Sequence, residues 1–193
     1  VVPVLTDGIC RAVRKITGIE TMVLGPGIKT GLNIRLDNPA QLGADLVAGA
    51  VAAIDRYPMP CIIYDLGTAT TISVINGRGE FLGGIITAGI GISLDALVSR
   101  TSQLPYIGLD APEKVIGTNT VASMKSGMVF GTACMMDGLA ERIEEELGER
   151  ATLVATGGRA PEIIAHCRRD IELVDTLLLD GLRLIYQRNK KNQ

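Results

Sequence analysis

The stretch CIIYDLGTATTISVINGRGEFLGGII, residues 61–86, decides the fold. Residues 61–66 are an unbroken run of apolar and β-branched side chains closed by an acidic residue and a glycine, which is how a strand buried on both faces and ending at a tight turn reads. Residues 71–75 repeat the pattern, Asn76-Gly77-Arg78-Gly79 is a hairpin turn, and residues 80–86 supply a third strand. Three consecutive strands joined by tight turns make a meander of two linked hairpins.

Downstream, residues 89–102 read as a helix and 120–147 as a long helix, in which Gly127, Gly131 and Gly138 predict a face open to close helix approach. Residues 151–155 follow as a strand, Thr156-Gly157-Gly158 as a tight turn, 161–168 as a helix opened by proline, and 177–188 as the last helix. Upstream, residues 5–16 carry helical spacing, 20–24 a short strand, 25–31 a turn-rich loop and 32–36 an alternating strand, and residues 42–56 fill one wide helical stripe with small and apolar side chains. Tyr57-Pro58-Met59-Pro60 stops that helix and predicts a hinge, dividing the chain into residues 1–58 and 59–193. Three strands, then helix, strand and helix, is the order of an actin-like (ribonuclease H-like) half. The expectation is an α/β protein of the actin-like ATPase fold, with one complete half-domain and the remainder of the other. Val1-Val2-Pro3-Val4 reads as the end of a buried strand, from which sequence upstream is expected.

A net charge of −2 gives a polyanion no electrostatic foothold, so nucleic acid is not an expected partner. No segment is long and apolar enough for a membrane span, and no signal peptide opens the chain. Cys10, Cys61, Cys134 and Cys167 form no CxxC pair and His166 is the only histidine, a pattern of reduced thiols in a cytoplasmic protein without a zinc site. Cys61, Cys134 and His166 read as core or helix-surface residues.

Chemistry concentrates in Asp65-Leu66-Gly67-Thr68-Ala69-Thr70-Thr71. A carboxylate at a strand end, a glycine turn and three threonines can aim N–H groups and hydroxyls at phosphate oxygens while the acid holds a cation. An Asp-capped hairpin turn would use the same residues, but the density of oxygen groups around one glycine favours the phosphoryl-transfer reading. In Gly43-Ala44-Asp45-Leu46 a second carboxylate lies in the first turn of a helix. Ordinary N-terminal charge preference explains it as well as catalysis does. A loose phosphoryl-transfer transition state asks its base mainly to orient a hydroxyl, which Asp45 could do.

Taken with Gly25-Pro26-Gly27, Lys29-Thr30-Gly31-Leu32, Asp37-Asn38-Pro39, Leu82-Gly83-Gly84-Ile85, Leu104-Pro105, Ile116-Gly117-Thr118-Asn119-Thr120, Thr156-Gly157-Gly158 and the segment from Gly181 to Asn189, these blocks resemble the type III pantothenate kinases in order and spacing over nearly the whole chain. The resemblance implies an ATP-dependent transferase that phosphorylates pantothenate to 4′-phosphopantothenate, the first step of coenzyme A synthesis, as a homodimer with Mg2+ and a monovalent cation, K+ or NH4+. It implies Asp45 as general base, and Gly43, Ala44, Asp45, Leu46 and Thr120 as pantothenate-binding, with Thr120 serving the neighbouring subunit. It further implies Asp65 as the cation ligand and Gly67, Thr68, Thr70, Gly157 and Gly158 at ATP.

Three departures stand against it. The family's opening Asp-x-Gly-Asn-Thr hairpin has no counterpart in residues 1–193, so this stretch alone is expected to be inactive. Leu46 stands where the family has arginine, and Thr87-Ala88-Gly89 where a proline usually precedes the glycine. A charged hydrogen bond lost at position 46 is worth about 1.5–3 kcal/mol, or roughly ten- to a hundredfold in affinity. The alternative is a non-catalytic, ligand-binding or regulatory member of the same family.

Overall fold

A computed structural model describes residues 2–190. Its centre is a six-stranded sheet of order β1-β4-β3-β2-β5-β6, comprising β1 (Asn33–Ile34), β2 (Cys61–Leu66), β3 (Ala69–Ile75), β4 (Glu80–Ala88), β5 (Thr152–Thr156) and β6 (Glu172–Leu173). β3 runs antiparallel to both β2 and β4, whereas β5 is parallel to β2 and β6 to β5. A three-strand meander continued by parallel strands on the far side of its first member is the ribonuclease H-like topology expected from residues 61–86.

The two faces of the sheet are covered by different helices. Ile62, Tyr64, Leu66, Ile72, Leu153 and Ala155 pack under α4 (Thr120–Leu147) and α5 (Ala160–Ile164). Cys61, Ile63, Ile75, Phe81 and Val154 pack under α2 (Ala44–Arg56) with Leu177 of α6 (Leu177–Lys190). α2 can lie so close because its inner face is Ala50, Ala52 and Ala53, all at most 3% exposed. Small side chains bring the helix backbone, and with it the carboxylate of its first turn, down onto the strand ends.

Four expectations are corrected. Val2 and Val4 belong to no buried strand: α1 (Pro3–Thr17) starts there, with proline in its first turn, and Val4 is 90% exposed. Proline's fixed φ suits a helix start as well as a strand edge, and the short sequence pattern could not separate the two; Val1 lies outside the described residues. Residues 20–24 form no strand, because no edge pairs with them, and Leu24 instead packs against Val47 and Val51 of α2. The helix expected over 161–168 ends at Ile164, where His166 and Cys167 donate to carbonyls three residues back. Gly127, Gly131 and Gly138 bring no second helix close: a Cβ at any of them would meet nothing within 4 Å. Close approach falls elsewhere, between α2 and α6 at Gly181.

The helices after the meander are α3 (Ile90–Ser99) and α4, the latter with Asn119 as N-cap, its side chain accepting from the Ala122 N–H. Cys61 is fully buried, and burial pushes its thiol up to about 12. Cys134 is exposed, and His166 meets Phe130 edge-on, as expected of surface and core residues.

Candidate active site

Strand pairing builds the site. Thr71 of β3 lies opposite Asp65 of β2, and Asp65 lies beside Thr156 of β5, so three oxygen-bearing side chains form one row across the sheet. Residues in register share a face, and this row faces α2. Gly43 begins α2 by accepting from the Val47 N–H through its carbonyl, and Asp45 follows in the first turn. Asp45, Leu46, Gly49, Asp65, Thr71 and Thr156 then line one narrow cavity of about 30 Å³, with Ile63, Ser73, Leu177 and Leu178 closing it. That volume admits a water or two, a bare cation or the end of a substrate. The two carboxylates picked out in sequence therefore converge on one hollow.

Their proximity is visible in the ionisation of Asp65. Burial, and then the negative charge of Asp45, raises the Asp65 carboxyl above the ordinary carboxylate range. Asp45 Oδ1 accepts from the Leu46 N–H at 3.0 Å. It does so in space that glycine leaves free, since a Cβ on Gly43 would come within 2.5 Å of Asp45 Oδ1. Gly43 thus has a steric reason to be glycine in front of the catalytic candidate.

Thr71 belongs to the hydroxyl cluster read from the sequence, where it has no role of its own. Its hydroxyl oxygen is buried and has no hydrogen-bond partner among the described residues. The signal existed in the hydroxyl cluster, but the strand register was needed to separate Thr71, on the Asp65 side, from Thr70. Thr70 pairs with Leu66 and lines a different hollow with Thr87, Ser93 and Thr132, on the α4 side. Gly67 and Thr68 are exposed at the β2–β3 turn, at the same end of the strands as Asp65. Gly157 has φ 97° and a Cβ there would come to 2.7 Å from the Leu66 backbone, so its glycine serves β2–β5 packing, while Gly158 borders open space. Thr120 is exposed at the first position of α4 and does not line the carboxylate cavity. Leu46 lines both that cavity and a wider hollow of about 260 Å³ beside it, walled by Leu36, Leu42, Phe81 and Ile86. Neither is lined by a Lys or Arg among the described residues, so Leu46 has no basic neighbour in either lining.

An acid whose folded pKa is raised holds a proton that the unfolded chain releases, so stability falls as pH rises from the ordinary Asp value through the raised one, and the loss is complete above it. Asp65→Asn should therefore melt higher than the wild type at neutral pH. Its advantage should shrink as pH falls toward ~4, followed by calorimetry across that range; an advantage that is absent, or independent of pH, would show that Asp65 carries no such cost.

An acidic strand end facing a carboxylate at a helix start, on a ribonuclease H-like sheet, suits the class of phosphoryl-transferring α/β proteins. The comparisons narrow this class. A sequence model of the family described as type III pantothenate kinase matches residues 1–142. The type III pantothenate kinase of Koribacter versatilis is 44% identical over 192 residues, covering 100% of this chain and 70% of its own length. That of Syntrophobacter fumaroxidans is 45% identical over 193 residues, covering 100% and 75%. The chain belongs to the type III pantothenate kinase family. A solved structure from Campylobacter jejuni, described as a conserved Baf family transcriptional activator, superposes with a TM-score of 0.62 at 20% identity, over 96% of this chain and 80% of that one, and shares the fold.

Proposed function

We propose that the protein transfers the γ-phosphoryl group of ATP to pantothenate, giving 4′-phosphopantothenate for coenzyme A synthesis. Family membership supports the reaction, and the observation that carries it to particular residues is the meeting of Asp45 and Asp65 in one cavity. In this reading Asp45 is the general base: it accepts the proton of the pantothenate alcohol as that oxygen attacks phosphorus. The hydrogen bond it accepts from the Leu46 N–H orients the carboxylate for the task.

The donors around Asp65 are all oxygens, which suits a hard cation, and Mg2+ typically takes one or two carboxylates together with substrate phosphates. Two carboxylates lining one small cavity fit such an occupant. Asp65 would hold Mg2+ or a monovalent cation, K+ or NH4+, which when bound neutralises charge developing on the phosphoryl oxygens. Gly67, Thr68 and Gly158, exposed at the same strand ends, would meet ATP, with Gly157 shaping the turn. The complete meander-and-crossover sheet from β2 onward, joined by only the two-residue β1 from before it, supports dividing the chain at residues 58 and 59.

In this reading Thr120 reaches pantothenate in the neighbouring subunit's site, and we include a homodimer in the proposal. Ile86, Tyr106, Val115 and Ile116, 66–82% exposed, supply apolar surface of the kind subunit contacts cover. No helix among the described residues is long and apolar enough to cross a membrane.

The test is turnover of pantothenate and ATP by the full-length protein with Mg2+ and K+ present; no product under those conditions removes the proposal. Leu46 yields a second expectation. Because the wider hollow has no cationic lining residue, Leu46→Arg should gain a charge-assisted bond to the pantothenate carboxylate and lower the KM for pantothenate by about ten- to a hundredfold. An unchanged KM would mean that the carboxylate lies elsewhere.

A further inference from the structure

Thr71 lies between the narrow carboxylate cavity and the wider apolar hollow: with Leu46 and Ser73 it lines both. Its hydroxyl is buried without a partner among the described residues, although Asp65 lies directly opposite it in the β2–β3 register. A buried hydroxyl with nothing to bind costs stability, and a protein that keeps one beside its carboxylates has a use for it. Leu36, Leu42, Leu46 and Phe81 make the wider hollow apolar. Pantothenate is an alcohol whose CH2OH group is attached to a carbon bearing two methyl groups. Its branched end fits that apolar wall, and only its hydroxymethyl tip is narrow enough for the cavity beyond.

We infer that Thr71 is a substrate contact for the reaction: its O–H donates to the oxygen of the acceptor alcohol as that group passes from the apolar hollow into the cavity, which rests on the pantothenate kinase reading above. The alcohol oxygen has two lone pairs and one proton. Thr71 takes one lone pair, Asp45 the proton, and the other lone pair is left to form the bond to phosphorus as the phosphorus–oxygen bond to ADP breaks. Holding the oxygen from two sides fixes the direction of attack, which is where phosphoryl transfer gains most from a protein. Neither Thr68 nor Thr70 can do this, being at the exposed turn and on the opposite sheet face.

Thr71→Val removes the hydroxyl and keeps the shape, and Thr71→Ser keeps the hydroxyl. In the full-length protein, Thr71→Val should lower kcat for pantothenate about tenfold with a smaller change in KM, while Thr71→Ser returns kcat to near the wild-type value. A merely structural threonine would not give the next result: without ligands, Thr71→Val should melt about 2–4 °C above the wild type, because the unpartnered hydroxyl is gone. An active wild type with Thr71→Val equally active overturns this inference alone, as does Thr71→Ser as impaired as Thr71→Val, or a Thr71→Val protein that melts lower. A wild type that makes no phosphopantothenate overturns the kinase reading and this inference with it.

Discussion

Asp45→Asn is expected to cut the turnover of pantothenate by about 10²–10⁴-fold, the usual worth of a general base, while leaving the melting temperature within a few degrees. The alternative reading of Asp45 is a negative charge placed at a helix start, and the two differ in magnitude. A helix-charge role is worth about 0.3–1 kcal/mol of stability and nothing in turnover. Asparagine keeps the shape and still accepts from the Leu46 N–H through its amide oxygen, so geometry is preserved and only proton acceptance is lost. The neighbouring acid offers a second reading of the same variant. Burial is the larger cause of the raised Asp65 carboxyl, and the Asp45 charge the smaller. Removing that charge should lower the Asp65 value toward the ordinary range without returning it fully. NMR titration of Asp65 in both proteins, beside a steady-state assay, checks both halves. A fully active Asp45→Asn enzyme would remove Asp45 from the chemistry, and an Asp65 titration indifferent to position 45 would mean that the carboxylates do not share a cavity in solution.

The sheet was legible because its strands declare themselves locally. Residues 61–66 match β2 to the residue, as residues 120–147 match α4, since a buried apolar run between turns and a long capped helix each carry their own boundaries. Part of what failed depends on a distant partner. Residues 20–24 have strand composition but no edge to pair with. β6 is two residues long and pairs only with β5, so nothing local marks it. The site divides in the same way. Asp45 and Asp65 stood out as acids at a helix start and a strand end, and their convergence follows from an alanine-lined helix lying on the sheet. Thr71 stood out only as one of three threonines, because a run of threonines in a strand alternates between faces and only the register tells which one looks at Asp65.

Gly181→Ala is expected to injure both stability and turnover, although alanine is the better helix former by about 1 kcal/mol. α6 crosses α2 at this residue so closely that a Cβ on Gly181 would lie 1.9 Å from the Ala48 carbonyl oxygen and 2.5 Å from its carbonyl carbon. Neither atom belongs to a side chain that could turn away, so the helices must separate. Overpacking of this kind costs about 1–3 kcal/mol, which for a chain of this size lowers Tm by roughly 2–10 °C. The functional loss follows from connectivity. Ala48 is one turn beyond Asp45 on α2, and α2 is pinned on its inner side by Ala50 and Ala53 against the sheet. A displacement of the helix at Ala48 therefore moves the carboxylate relative to Asp65 and Thr71, and a misplacement of about 1 Å can cost a hundredfold in rate. Gly138→Ala is the control, since its Cβ would meet nothing within 4 Å on α4, and there the propensity gain should appear unopposed as a slightly higher Tm. Calorimetry and a pantothenate assay on the two variants decide the matter. A Gly181→Ala protein that melts and turns over like its Gly138→Ala counterpart would mean that α2 is not clamped by α6, and that the position of Asp45 is set by the sheet alone.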